Sequence, residues 1–227
     1  MNYVDAHCHL KSETLPDGVA IALTNTVHPV EWDRIADCAG QGGIFCAIGV
    51  HPWFVSGLKA TWQERMRALL AANPALMVGE IGLDKNRPDM ATQTDVFTAQ
   101  MQIASYFGRV VHIHCIGAWD KLFPVLNLYK VPAIVLHGFD ASPEIIQRLL
   151  TYNAYFSFGR AICDSRRQRA QNAVRIVPKN RILSESDTDN PTDVIPVVEK
   201  MSEILACPLA DVVETIYNNA KDLLKNG

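Results

Sequence analysis

Five short polar clusters interrupt apolar, β-forming stretches of this 227-residue chain. They are Asp5-Ala6-His7-Cys8-His9, Gly79-Glu80-Ile81-Gly82, His112-Ile113-His114, His137-Gly138 and Ser184-Glu185-Ser186-Asp187. A buried strand is a costly place for an imidazole or a carboxylate that has no partner. Five such breaks on different strands point to one shared partner, a divalent ion or a pair of them. His7 and His9 are two residues apart, so both side chains share one strand face and can reach one ion. His114 has the same relation to His112, but only His114 would stand at the strand end; His112 would lie one layer deeper, in the core. Glu80 offers two oxygens and can bridge two ions about 3.5–4 Å apart. Asp187 closes the last cluster, where a carboxylate can ligate an ion and take the proton of a metal-activated water.

Other residues would serve the same centre. Asp5 shares the face of His7 and is expected to hold a ligating imidazole. Glu185 would share the face of Asp187 on a regular strand and support the site by hydrogen bonds, with Asp189 in the following loop. His51, in the run GVHPW, could donate to a phosphate or a leaving group, and Trp53 could stack on a base. Arg160 directly follows Phe158-Gly159 and could bind phosphate in bidentate fashion. Arg167 and Arg169 read as solvated helix faces. Each feature has a bland alternative: a satisfied core histidine, an exposed strand-end Glu, a rim aromatic. It is their company that favours chemistry.

The elements that must position these residues alternate. Strands are expected over 3–8, 20–24, 44–50, 75–81, 110–115, 133–137, 154–158 and 182–186. Helices are expected over 29–39, 60–72, 92–107, 119–128, 143–151, 165–174, 192–205 and 208–225, the pattern being weakest over 60–72. The segment from Thr92 carries Val96, Phe97, Met101, Ala104 and Phe107 in a helical pattern. Eight strands interleaved with helices predict a (β/α)8 (TIM) barrel, one compact domain over 1–227 with short loops. In that fold, strand C-termini share one mouth, and all five clusters fall there. An open doubly wound sheet has no support, because no GxGxxG or GxxxxGK[ST] phosphate loop is present.

Composition narrows the classes further. The chain is 48% apolar with a formal net charge of -3, which excludes disorder and a whole-molecule basic field for nucleic acid. No stretch is long enough to span a membrane, and the N-terminus does not read as a signal peptide. The six cysteines form no CxxC and no disulfide framework, so a cytoplasmic protein with reduced thiols is expected. Cys8 and Cys115 adjoin candidate ligands but would face the helices as small packing residues.

This set of motifs, in this order, closely resembles the TatD family of metal-dependent hydrolases. The resemblance runs from DAHCHL at Asp5, through GVHPW, VGEIGLD, the helix from Thr92, VHIHC, HGF and FSFG, to ESDTDNP ending at Pro191. It implies an amidohydrolase-type barrel with DNase-like phosphodiesterase activity. It makes His7, His9, Glu80, His114, His137 and Asp187 the metal ligands, Glu80 the bridge, and His51 a substrate-side histidine. The chain departs from the family where Trp53 replaces a frequent second His, where Ile116 replaces the usual Arg, and where Ser186 and Thr188-Asp189-Asn190 alter the last motif.

The expected activity is exonucleolytic hydrolysis at DNA 3′ ends with one or two divalent ions, Asp187 and Glu80 being the catalytic carboxylates. His51, Trp53 and Arg160 would contact substrate. Mixed His and carboxylate ligands suit Zn or Mn, and the resemblance adds Mg. DNA is the expected substrate, with no membrane and no obligatory protein partner. The rivals are hydrolysis of a small phosphodiester, ester or amide, and a metal-dependent binding protein without turnover.

Overall fold

In the computed structural model, which describes residues 1–225, eight parallel strands follow one another in chain order around a single sheet. They are β1 (Tyr3–Cys8), β2 (Val19–Asn25), β3 (Ile44–Ile48), β4 (Met77–Asp84), β5 (Val111–Ile116), β6 (Ile134–Leu136), β7 (Ala154–Phe158) and β8 (Ile182–Ser184). The helices are α1 (Trp32–Asp37), α2 (Trp62–Ala72), α3 (Met90–Phe107), α4 (Trp119–Leu128), α5 (Pro143–Leu150), α6 (Gln168–Ile176), α7 (Ile195–Leu205) and α8 (Leu209–Leu224). The last two residues of the expected 1–227 unit lie outside the described residues. The fold is the (β/α)8 barrel expected from the alternation. Its seam is closed across β8 and β1. Ser184 Oγ donates to the Val4 carbonyl at 2.8 Å, and the Asp187 and His9 amides donate to the His7 and Thr188 carbonyls at 3.0 and 2.8 Å.

One strand–helix unit is irregular. β1 reaches β2 without a helix, and α8, arriving from the other end of the chain, packs on β1 instead. The helix expected over 29–39 becomes a 3-10 turn, Pro29–Glu31, followed by the six-residue α1. α2, where the pattern was weakest, is regular: it buries only Trp62, Met66 and Leu70, one side chain per turn. That narrow stripe explains its faint signal.

Strand lengths also differ from expectation, with consequences for the site. β4 runs on to Asp84 because Gly82, at φ 148°, lets it press against β5; a Cβ there would overlap the His114 carbonyl. Gly79, on the same strand, is equally constrained, since a Cβ would stand 2.6 Å from both Asn25 Oδ1 and His112 Cβ. Gly82→Ala is therefore expected to destabilise the fold by at least about 3 kcal/mol, read as a fall in Tm of roughly 6–12 °C. A Tm within 2 °C of wild type (a shift of about 1 kcal/mol or less) would contradict the close approach. β6 and β8 are shorter than expected, so His137 and the run Glu185 to Asp187 sit just past the last strand residue. All six thiols are free, with Cys8 buried and Cys115 half-buried. No helix of the described residues is long and apolar enough to cross a membrane.

Candidate metal centre at the barrel mouth

The strand C-termini bring five imidazoles around one buried carboxylate. Glu80 Oε2 lies 3.3 Å from His7 Nε2 and 3.9 Å from His9 Nε2. Glu80 Oε1 lies 3.1 Å from His51 Nε2, 3.1 Å from His114 Nδ1 and 2.7 Å from His137 Nε2. Asp187 Oδ1 completes the Oε2 side, 3.7 Å from His7 Nε2 and 3.3 Å from His9 Nε2. The two oxygens of Glu80 thus face two different donor sets. All six residues expected as ligands meet here, although they come from β1, β4 and β5 and from the segments following β1, β6 and β8.

The second nitrogen of each ring decides which nitrogen is free to bind a cation. His9 Nδ1 donates to the Asn25 carbonyl at 3.0 Å, so Nε2, which faces Asp187, is the nitrogen an ion would engage. His137 Nδ1 faces Glu185 Oε1 at 3.6 Å, and His114 Nε2 faces Asp84 Oδ2 at 3.7 Å. In both, an ion at Glu80 would take the nitrogen beside it, and the far carboxylate would then hold the ring proton. His51 is the opposite case. Its Nδ1 accepts the Trp53 amide at 3.2 Å, so the proton is on Nε2. His51 therefore presents an N–H donor to the centre, although its ring nitrogen lies close enough to Glu80 and His114 to be counted with them as a cation cluster.

Electrostatics tighten the cluster. Burial alone would raise the Glu80 pKa, but the charges of His137 and His7 and hydrogen bonds from His114 and His137 hold it well below the usual carboxylate range. Burial would lower the His137 pKa, and the charges of Glu80 and Glu185 raise it well above the ordinary imidazole value. Burial, together with the like charge of His137, depresses His7. Burial opposes ionisation of Asp187 as well, and its hydrogen bond with His9 outweighs it. The cluster holds ionised carboxylates and draws positive charge to itself.

The donor set fits a divalent ion. His7 Nε2 is buried, points into the carboxylates and has no hydrogen-bond partner among the described residues. A buried polar atom left in that state costs about 1–3 kcal/mol unless something satisfies it. The separations of 3.0 Å between His114 Nδ1 and His137 Nε2, and of 3.3 Å between His7 Nε2 and Glu80 Oε2, suit neighbours on one coordination polyhedron. Ligand bonds of about 2.0–2.2 Å would produce such spacings. Mixed nitrogen and oxygen donors suit Zn or Mn.

The supporting residues differ from expectation in two places. Asp5 contacts no imidazole: its Oδ1 accepts the Ser186 and His7 amides at 2.9 and 3.3 Å, stitching the barrel seam. Burial pushes its pKa up to about 8. Glu185 does not share the face of Asp187, because β8 ends at Ser184 and Asp187 adopts a left-handed conformation at φ 56°. Glu185 turns instead to the Gly138 amide, at 2.6 Å, and to His137. His112 is fully buried below the mouth, and neither ring nitrogen has a partner among the described residues. Asp189 is exposed and paired with Lys11 at 2.7 Å.

Among the expected substrate contacts, Trp53 is half exposed at the rim, and its Nε1 donates to Asp84 Oδ2 at 2.7 Å. Arg160 is exposed at the start of the 3-10 turn after β7, without a side-chain hydrogen bond or ion pair among the described residues. Arg167 and Arg169 line an open groove of about 530 Å³ beside Gly138, where Arg169 Nε pairs with Asp140 at 2.6 Å.

Sequence reasoning missed Asp84 and two glutamines. Gln93 and Gln100 lie on the buried stripe of α3. Gln93 bonds both the amide and the carbonyl of Asp84, at 2.8 and 3.2 Å, and Gln100 does the same for Val50, at 2.7 and 3.1 Å. One helix therefore clamps the segments that carry Glu80 and His51. The available signal was a pair of glutamines in register with Phe97 and Ala104 on an otherwise apolar face.

A family model described as TatD related DNase matches residues 4–225. The 3′-5′ ssDNA/RNA exonuclease TatD of Escherichia coli (strain K12) is 31% identical over 188 residues, 79% of this chain and 71% of that protein. The protein of the same name from Enterobacter lignolyticus is 32% identical over 155 residues, 65% of this chain. That match spans 60% of the relative, less than two thirds of its length. In fold, the chain is similar to the crystal structure of YJJV, a TatD homologue from Escherichia coli K12, with a TM-score of 0.87 at 22% identity and 97% coverage of both chains. From the span of the family match and the likeness to the K12 exonuclease, this chain belongs to the TatD related DNase family.

Proposed function

We propose that this protein is a divalent-metal-dependent phosphodiesterase that trims single-stranded nucleic acid, DNA first, from the 3′ end. The observation that carries the reading is the division of Glu80: Oε2 toward His7, His9 and Asp187, Oε1 toward His114 and His137. The names of the relatives add the substrate class. Divalent ions held by these residues would supply positive charge for the phosphoryl oxygens and lower the pKa of a water.

The chain's own groups divide the remaining work. His7, His9, Glu80 and Asp187 would hold one ion and Glu80, His114 and His137 a second where two are bound. Asp187, with its side chain about half exposed (53%), accepts the proton of the attacking water. His51 donates from Nε2 to a phosphoryl oxygen or the leaving oxygen. Trp53 and Arg160 contact the strand at the rim. Zn or Mn suits the donor set, and Mg is a further candidate for turnover. The six free thiols support a reducing compartment, the cytoplasm.

The test is cleavage of a 5′-labelled single-stranded DNA by metal-stripped protein with Mg, Mn or Zn added back. A metal-dependent ladder shortening from the 3′ end is expected. Absence of cleavage by protein shown by elemental analysis to carry metal would reject the nuclease reading and move the search to small esters and amides.

A further inference from the structure

The rim of the mouth on the β4 side carries a guanidinium with nothing assigned to it. Arg87 follows β4 in the turn where its amide donates to the Asp84 carbonyl at 3.1 Å. Its guanidinium carbon lies 3.9 Å from the Trp53 ring centroid, the close approach of a stacked cation–π pair. Trp53 is itself anchored, by Nε1 to the buried carboxylate of Asp84 and by its amide to His51 Nδ1. Asp84 in turn is clamped by Gln93 and faces His114. Arg87 is thus held in orientation by a chain of contacts that ends at the proposed ligands.

Its donors are nevertheless unspent. Arg87 is exposed and makes no side-chain hydrogen bond or ion pair among the described residues. The other arginines near the mouth differ. Arg166 is paired with Asp164 at 2.8 Å, and Arg169 with Asp140 at 2.6 Å. Arg160 is unpaired but has no contact that fixes its direction. A guanidinium stacked on an indole keeps its in-plane N–H groups free, the arrangement suited to bidentate capture of a phosphate. The carboxylates crowding the mouth would repel a polyanion, and a fixed cation at the rim offsets that repulsion.

We propose that Arg87, held over the Trp53 ring, binds a backbone phosphate of the single-stranded substrate and so positions the strand relative to the proposed metal centre. This deepens the proposed function and rests on its choice of nucleic acid as substrate. It assigns to Arg87 a binding role and to Trp53 the role of holding it.

Fluorescence anisotropy of a 5′-fluorescein single-stranded DNA octamer, with the full chain stripped of metal to prevent cleavage, tests the assignment. Arg87→Ala should weaken binding about tenfold and reduce the slope of log K against log salt by about 0.7, the contribution of one phosphate on a single strand. Arg87→Lys should keep the slope while recovering only part of the affinity. An octamer with neutral methylphosphonate linkages should bind wild type and Arg87→Ala alike. Inorganic phosphate should compete only at far higher concentration than an unlabelled octamer; competition at equal phosphate concentration would show a free-anion site and overturn the strand contact. An unchanged affinity and slope in Arg87→Ala, or an equal loss on the neutral octamer, would also overturn the proposal. Arg87-dependent binding without cleavage by any metal-loaded wild type would reject the nuclease reading and leave the phosphate contact standing.

Discussion

Asp187→Asn is expected to lower turnover about 10²–10⁴-fold, the range for loss of a positioned general base, while most of the metal stays bound. The reasoning is local. Asp187 reaches His7 and His9 through Oδ1, at 3.7 and 3.3 Å. The amide oxygen of Asn can occupy that place, but Asn cannot take up a proton. The backbone also favours this substitution, since residue 187 sits at φ 56° and Asn tolerates that region better than most residues. Folding and metal content should therefore remain near wild type by calorimetry and elemental analysis. Single-turnover rates on labelled single-stranded DNA read the loss. Near-normal rates would remove Asp187 from proton transfer, whereas loss of rate and metal together would make it chiefly a ligand.

The second large effect is expected at Glu80. Glu80→Gln preserves shape but leaves one oxygen where there were two, and it removes the charge that faces five imidazoles. The amide nitrogen would present hydrogens to lone pairs on one side whichever way it turned. Both donor sets are disrupted, so metal affinity should fall by more than about 100-fold, beyond the 10–100-fold that loss of an outer hydrogen-bond partner costs. Activity should drop to background. Competition with a chromogenic chelator measures the affinity. His137→Ala is the contrast, because it spares His7, His9 and Asp187 and should keep part of the metal. Equal metal content in Glu80→Gln and wild type would exclude the bridging role. In the metal-free variant, the His137 pKa should also fall, since the Glu80 charge is the first influence raising it against burial. NMR titration of the ring would show that shift independently of metal.

Much of this site could be read along the chain. A strand repeats every two residues, so His7 with His9 and His112 with His114 declare a shared face before any contact is known. The C-terminal ends of parallel barrel strands converge, so polar clusters ending successive apolar runs declare a common mouth. These are local periodicities joined to one topological rule, and they were enough to name the barrel and the six residues that meet at Glu80.

What the chain alone could not decide depends on partners distant in sequence. His51 differs from His9 only in what touches its Nδ1: the Trp53 amide in one case, the Asn25 carbonyl in the other. That contact decides between an N–H donor and a lone pair. Asp5 and Glu185 were expected on the faces of His7 and Asp187; the closing of the barrel takes Asp5 into the seam, and the end of β8 at Ser184 turns Glu185 toward Gly138 and His137, where it supports the site as expected. The partners of Gln93, Gln100 and Arg87 could not be read along the chain; only packing of α3 and the β4 turn against the mouth brings them to Asp84, Val50 and Trp53. Residue types and spacing determined the strand ends that carry the candidate ligands, because those follow from backbone geometry. Tertiary structure decided proton positions, clamps and the rim, because those follow from which groups meet when the barrel closes.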